Sequence, residues 1–358
     1  MTTPDTTEAL WSPTRLGRIN LAHRVAMAPM TRSRATQDGL VTDLTRTYYA
    51  QRAELAMLIT EGTQPSEDGQ GYLTTPGIHT PEQAEAWGHV ANAVHEAGSS
   101  LVVQLMHVGR VSHPSNTPHG RQPLAPSAIA ARGDMYTASG PQSMAMPREM
   151  TDEDLAQTVA DFRRAARLAV DAGADGVELH GANGYLLQQF MSTNANRRTD
   201  RFGGDVAGRI RFPVEVATAV ADEGGADRVG YRISPGSALG DIEEADVAEL
   251  YAALIEALAP LELAYLHVVH FGDETLLRGI RDAWPTGLVL NRAGADIDRR
   301  AQDVRDGLAD VVSVGSLALA NPDLIERITS GAAMNAPDRS TLYGGAERGY
   351  TDYPRLAA

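Results

Sequence analysis

Apolar residues along this chain come in short unbroken runs, separated by longer amphipathic stretches. The runs cover 24–31, 55–64, 100–110, 174–181, 228–235, 263–270, 287–294 and 309–316. A continuous apolar run of this length suits a strand buried on both faces. Helical spacing is read over 42–54, 81–98, 151–173, about 205–224 and 244–260, in "ETLLRGIRDAWP" and "RRAQDVRDG", and last over 321–331. The punctuation agrees. Pro81 stands at a first turn and Gly98 at a stop; Thr151 and Asp154 form a capping-box variant, and Gly173 closes that helix. Eight strands alternating with helices predict a parallel sheet closed into a (β/α)8 TIM barrel. A doubly wound open sheet is the competitor, but nothing like G-x-G-x-x-G follows the first run. The Pro-rich stretch 111–150 interrupts the alternation after the third strand. It is expected to be a capping excursion within a single barrel domain spanning 1–358.

Composition narrows the chemistry. The 358 residues carry 31 basic and 46 acidic side chains, a formal net charge of −15. So acidic a surface repels nucleic-acid phosphates and anionic membranes, and points to small-molecule chemistry. There is no cysteine, which removes disulfides, thiolate metal sites and thiol nucleophiles together. The opening "MTTPDTTEALWSPTRLG" has neither a basic start nor an apolar centre, and no window approaches a spanning helix, so a cytoplasmic address is expected.

In such barrels chemistry sits at the C-terminal ends of the strands. Read there, the polar residues are Thr31, Glu61 to Gln64, Gln104 and His107, His180 and Asn183, Arg232 and Ser234, His267 and His270, Asn291 to Gly294, and Gly315 with Ser316. They come from different strands and would converge on one mouth. Each has a plainer reading. Gln104 also reads as a structural amide, and Thr31 alone reads as a loop-backbone partner. Arg232 inside a strand needs an anion or a ring of carbonyls. His267 and His270, three apart on a strand, point to opposite faces and suit no shared metal; no metal is expected. "NRAGAD" and "GSLALANPDL" supply the glycines of a phosphate loop behind the last two strands, though tight turns need them too. In "VELHGANGYLLQQF", His180, Asn183 and Tyr185 fall within six residues, open between a reaction centre and the trim of a turn.

The ordered set "RVAMAPMTRSRA", "QLMHVGR", "VELHGANGYLLQQF", "NRRTDRFGG", "ANPDL" and "LYGGAERGYTDYP" resembles the old yellow enzymes, FMN-dependent ene-reductases on a (β/α)8 barrel. The resemblance covers nearly the whole chain. It implies tightly bound FMN with NAD(P)H as reductant, a small-molecule activated alkene as substrate, and a monomer or homodimer. It implies that Ala28, Pro29, Met30 and Thr31 line the flavin, that Gly62 lets the ring approach, and that Gln104 bonds its pyrimidine edge. Arg232 would face the electron-rich end of the ring, and Gly294, Ala295, Gly315 and Ser316 the phosphate. Tyr72, Met106 and Tyr343 would shape the substrate mouth. His180 and Asn183 would hold the oxygen of an α,β-unsaturated carbonyl or nitroalkene; hydride would go to its β-carbon and Tyr185 would protonate the α-carbon.

Three positions depart from the family's common pattern. Asn183 stands where many members have a second histidine, and Met106 where many have tryptophan. Ser316 stands where many have an arginine on the FMN phosphate; FMN affinity is expected to fall unless Arg292 or the helix N-terminus near Asn321 compensates. Other readings are a redox-neutral or biosynthetic flavoenzyme on the same site, a flavin protein without turnover, and a metal-dependent barrel hydrolase using His107, His180, His267 and His270.

Overall fold

The computed structural model describes residues 6–357. Eight parallel strands form a closed barrel: β1 (Val25–Met27), β2 (Met57–Ile59), β3 (Ser100–Leu105), β4 (Gly176–Gly181), β5 (Val229–Ile233), β6 (Tyr265–His270), β7 (Gly287–Arg292) and β8 (Val311–Val314). Each pairs with the next, and β8 returns to β1. The expected (β/α)8 barrel is therefore the observed one. Every strand lies inside its apolar run, shortened where the run leaves the ladder to become a loop.

The helices are α1 (Asp43–Ala50), α2 (Pro81–Glu96), α3 (Asp152–Asp171), α4 (Leu186–Met191), α5 (Val206–Gly224), α6 (Val247–Leu258), α7 (Glu274–Ala283), α8 (Ile297–Arg305), α9 (Ser316–Ala320) and α10 (Leu324–Ser330). At α3 the Thr151 hydroxyl accepts the Asp154 N–H, and the Asp154 carboxylate accepts the Thr151 N–H. The helix expected over 244–260 begins later, at Val247. Asp246 takes left-handed backbone, φ 53°, and Glu244 is occupied as an acceptor for Gln188, Tyr251 and the Gly236 N–H. The short helices α4 and α9 carry too few turns to show a period.

Alternation sorts the strand side chains into two layers. Leu101 and Val103 pack outward with Trp87 and Phe162 of the surrounding helices, while Val102 between them faces inward. The interior layer is closed from below by a hairpin that periodicity did not reveal, Thr14–Leu16 with Ile19–Leu21. Its Leu16, Ile19 and Leu21 pack on Met57, Ile59, Val102 and Val289. At Gly287, the first residue of β7, a Cβ would lie 2.3 Å from Leu16 Cδ2, so a side chain there would push the plug's leucine aside.

The excursion after β3 has structure of its own. Leu124–Ala125 pairs in parallel with Arg148–Glu149, and Asp134–Thr137 forms an antiparallel hairpin with Gly140–Ser143. Met135 and Met144 pack on Met106, Val108 and Val111, with Tyr72 and Tyr185 at the edge of the same cluster.

Candidate active site

At the C-terminal end of the barrel lies a cavity of about 380 Å³, with walls from Pro29, Met30, Thr31, Gly62, Gln104, Met106, His180, Asn183, Tyr185, Arg232, Ser316 and Tyr343. Twelve of the residues singled out from the sequence thus meet around one space. Tyr72 reaches it through Tyr185. Ala28, Gly294, Ala295 and Gly315 are not in its wall. Ala28 continues the β8–β1 ladder through its N–H to the Val314 carbonyl, and Ala295 closes a turn on the Arg292 carbonyl.

The floor is a buried polar network. Fully buried Glu178 accepts from Gln104 Nε2 at 2.7 Å and from the Tyr265 hydroxyl at 3.0 Å, and lies 2.8 Å from His267 Nδ1. His267 Nε2 is 2.9 Å from the Ser313 hydroxyl. Burial pushes the Glu178 carboxyl up, but His267, Arg232 and the Gln104 amide more than offset this and hold it ionised. Burial pushes His267 down, so its neutral ring donates through Nδ1. Sequence reading passed over Glu178 as part of an apolar run; the available signal was a lone carboxylate between Val177 and Leu179 on a strand buried on both faces. One consequence reaches the cavity. With Nε2 committed to Glu178, Gln104 keeps its Oε1 for a ligand N–H.

Arg232, paired in register with His180, is 5% exposed, and its side chain makes no hydrogen bond to the described residues; its Nε is buried without a partner. A buried guanidinium left this way calls for an electron-rich ligand. Gly62 faces Met106 so closely that a Cβ would sit 2.4 Å from the sulfur. A thin backbone wall, a carbonyl acceptor at Gln104 and an unmet cation at Arg232 fit the edge of a planar, hydrogen-bonding ring such as a flavin.

On the neighbouring strand β4 and the loop that follows it stand His180, Asn183 and Tyr185. Gly181 closes β4 where a Cβ would be 2.5 Å from the Tyr231 ring, and Gly184, φ 85°, lies against the Leu239 carbonyl. Asn183 between them is itself left-handed, φ 57°, its N–H held by the Ser234 hydroxyl at 2.8 Å. Its Oδ1 is buried without a partner. His180 Nδ1 accepts the Ala182 N–H, which puts the proton of the neutral ring on Nε2. Burial, then Arg232, lowers the His180 pKa to about 3, so the ring is a neutral donor at physiological pH. Tyr185 packs edge-on to His180 with centroids 4.8 Å apart, and its hydroxyl lies 3.0 Å from that of Tyr72. Burial and then Tyr72 raise its pKa well above the usual phenol value, so it keeps its proton.

The remaining wall comes from the C-terminal segment, where Pro337, Arg339 and Leu342 join Tyr343. Sequence reading named only Tyr343, because irregular chain has no period to mark its inward residues. Arginines hold this segment in place. Arg32 donates to the Leu342 and Gly349 carbonyls, Arg34 to the Thr341 and Ala346 carbonyls, and Arg52 to the Tyr350 carbonyl, with Arg32 and Arg34 over the Tyr350 ring.

The histidines do not gather. His107 turns to the Gly109 N–H, His267 to Glu178, and His270 to Arg292, away from His180. Among the described residues no three His, Cys, Asp or Glu side chains form a metal set. None of the described helices is long and apolar enough to cross a membrane. Arg292 does not compensate for Ser316: its guanidinium is taken up by Asp303 at 2.6 and 3.0 Å and Glu274 at 2.7 and 3.0 Å.

Comparison with known proteins agrees with this geometry. The family model described as NADH:flavin oxidoreductase / NADH oxidase matches residues 9–335. Putative 12-oxophytodienoate reductase 5 of Oryza sativa subsp. japonica is 42% identical over 352 residues, covering 95% of this chain and 92% of that protein. A probable flavin mononucleotide-dependent alkene reductase of Leishmania infantum is 36% identical, covering 97% of both. The solved structure of morphinone reductase in complex with tetrahydroNAD superposes with a TM-score of 0.93 at 41% identity, covering 97% of this chain and 98% of that one.

Proposed function

The chain belongs to the NADH:flavin oxidoreductase / NADH oxidase family, the old yellow enzymes, and from that premise we propose that its cavity reduces the activated double bond of α,β-unsaturated carbonyls or nitroalkenes. It is an FMN-dependent oxidoreductase using NAD(P)H, and alkene reduction is its general chemistry. The observation that carries the finer reading is that one cavity brings together the Arg232 guanidinium, its Nε buried without a partner, the neighbouring His180, whose Nε2 carries the ring proton, and the Asn183 side-chain amide.

Thr31, Gly62, Gln104 and Arg232 would hold the flavin ring, and Ser316 with the neighbouring Gly315, Gly294 and Ala295 its phosphate. Bound there, FMN would supply the hydride chemistry that the substrate's β-carbon requires, with NAD(P)H as its reductant. Arg232 sets a fixed positive charge against the negative charge that reduction brings. His180 Nε2–H and the Asn183 amide donate to the substrate's carbonyl or nitro oxygen, drawing electrons from the double bond. Tyr185 gives its hydroxyl proton to the α-carbon, and the Tyr72 hydroxyl orients it. Met106, smaller and more adaptable than tryptophan, opens the mouth to bulkier alkenes.

A visible spectrum of the purified protein, before and after anaerobic NADPH, tests the reading. The expected result is a flavin spectrum bleached by NADPH and restored by 2-cyclohexenone. A protein that is colourless and fails to take up added FMN would sink it. Bleaching without re-oxidation by any activated alkene would leave the flavin and remove the substrate class.

A further inference from the structure

We propose that Arg339, on the C-terminal segment, supplies the positive charge that holds the FMN phosphate in this protein. A phosphate monoester brings close to two negative charges. The protein that must accept it has a net charge of −15. Binding therefore needs a local cation, and Ser316 offers only a hydroxyl.

The other arginines near the ends of β7 and β8 are already occupied. Arg292 is clamped between Asp303 and Glu274. Arg299 lies 3.5 Å from Glu274 and 3.2 Å from Asp303. Arg300 is buried and donates to the backbone carbonyls of Ser313 and Arg292. Among the described residues two arginines line the cavity. One is Arg232, which belongs to the floor beside Glu178. The other is Arg339, in the wall with Ser316, Leu319 and Pro337. Arg339 has no ion pair and no side-chain hydrogen bond with any described residue, so its five donors are uncommitted. Its segment is held by the carbonyl contacts of Arg32 and Arg34. Arg339 is therefore a free guanidinium on an anchored element, at the rim where the neutral Ser316 stands. Charge is conserved at the site although its source in the chain differs: the C-terminal segment provides what the loop after β8 lacks.

The inference rests on the FMN reading, and the test separates the two. The full-length protein is stripped of flavin and titrated with FMN and with riboflavin, which has the same ring and no phosphate. For Arg339→Gln the expected result is at least about a tenfold weaker FMN affinity with riboflavin affinity unchanged, as for loss of one charge-assisted contact. Adding Ser316→Arg to that variant should restore FMN binding. The wild-type preference for FMN over riboflavin should also shrink as salt rises, a readout independent of any variant. Wild-type FMN affinity in Arg339→Gln overturns the proposal. So does an equal loss for both flavins, which would make Arg339 a packing residue. So does a change confined to the KM for NADPH, which would move Arg339 to the nicotinamide nucleotide. A wild-type protein that binds neither flavin would instead overturn the cofactor reading.

Discussion

At the scale of single residues, protonation states set what each group can do. Tyr185 keeps its proton because burial disfavours the phenolate. Tyr185→Phe is expected to slow alkene reduction by about 10²-fold or more, the usual weight of a positioned proton donor. Reduction of the flavin by NAD(P)H should be nearly unaffected. Stopped-flow measurement of the two half-reactions checks this, and equal losses would remove Tyr185 from the role. His180 and His107 are the converse case, buried imidazoles pushed down to about 3 and about 4. Both are neutral in the folded protein where the unfolded chain would take a proton. Their contribution is therefore complete above about pH 6.5 and is lost as pH falls toward their folded values. Each histidine costs up to about 1.4 kcal/mol per pH unit over that window. Thermal melts from pH 7 to pH 4.5 should show a falling Tm, and His107→Gln should flatten the slope.

Among elements, the strands act through what they bring opposite one another. Register sets Glu178 of β4 beside Gln104 of β3, and inward alternation brings Tyr265 and His267 of β6 to the same carboxylate. Removing the charge from such a buried cluster leaves its donors without an acceptor. Glu178→Ala should destabilise the fold by about 3–5 kcal/mol in denaturant titration. It should also shift the flavin's reduction potential, since Arg232 loses its nearest counter-charge. A destabilised protein with an unchanged potential would make the network purely structural. The hairpin under the barrel offers a separate check. Leu16 is fully buried in the interior layer, and Leu16→Ala should cost about 2–5 kcal/mol without changing flavin affinity.

For the molecule as a whole, cofactor and fold are linked. A ligand bound only by the folded chain adds about 2.7 kcal/mol at a hundredfold excess over its Kd. Removing FMN should therefore lower the Tm, and re-addition should restore it in proportion to the logarithm of flavin concentration. What the chain alone determined is considerable: all eight barrel strands, the helices long enough to show a period, and the strand-end polar residues Thr31, Gln104, His180, Asn183, Arg232 and Ser316 of the cavity wall, whereas Met106 and Tyr343 were named through the family resemblance. The strands, helices and strand-end residues were legible because burial repeats along an element with that element's own period, and because the strand order of a barrel follows the chain. What only the tertiary structure decided are contacts without a period. Arg32 meets the Gly349 carbonyl across 317 positions. Arg292 is consumed by Asp303 and Glu274 rather than left for a ligand, and Glu178 is the hub of the floor although its neighbours in sequence are apolar. Spacing reports which face of an element is buried; it carries no record of which distant group that face will meet, and the charge balance of the site is settled by those meetings.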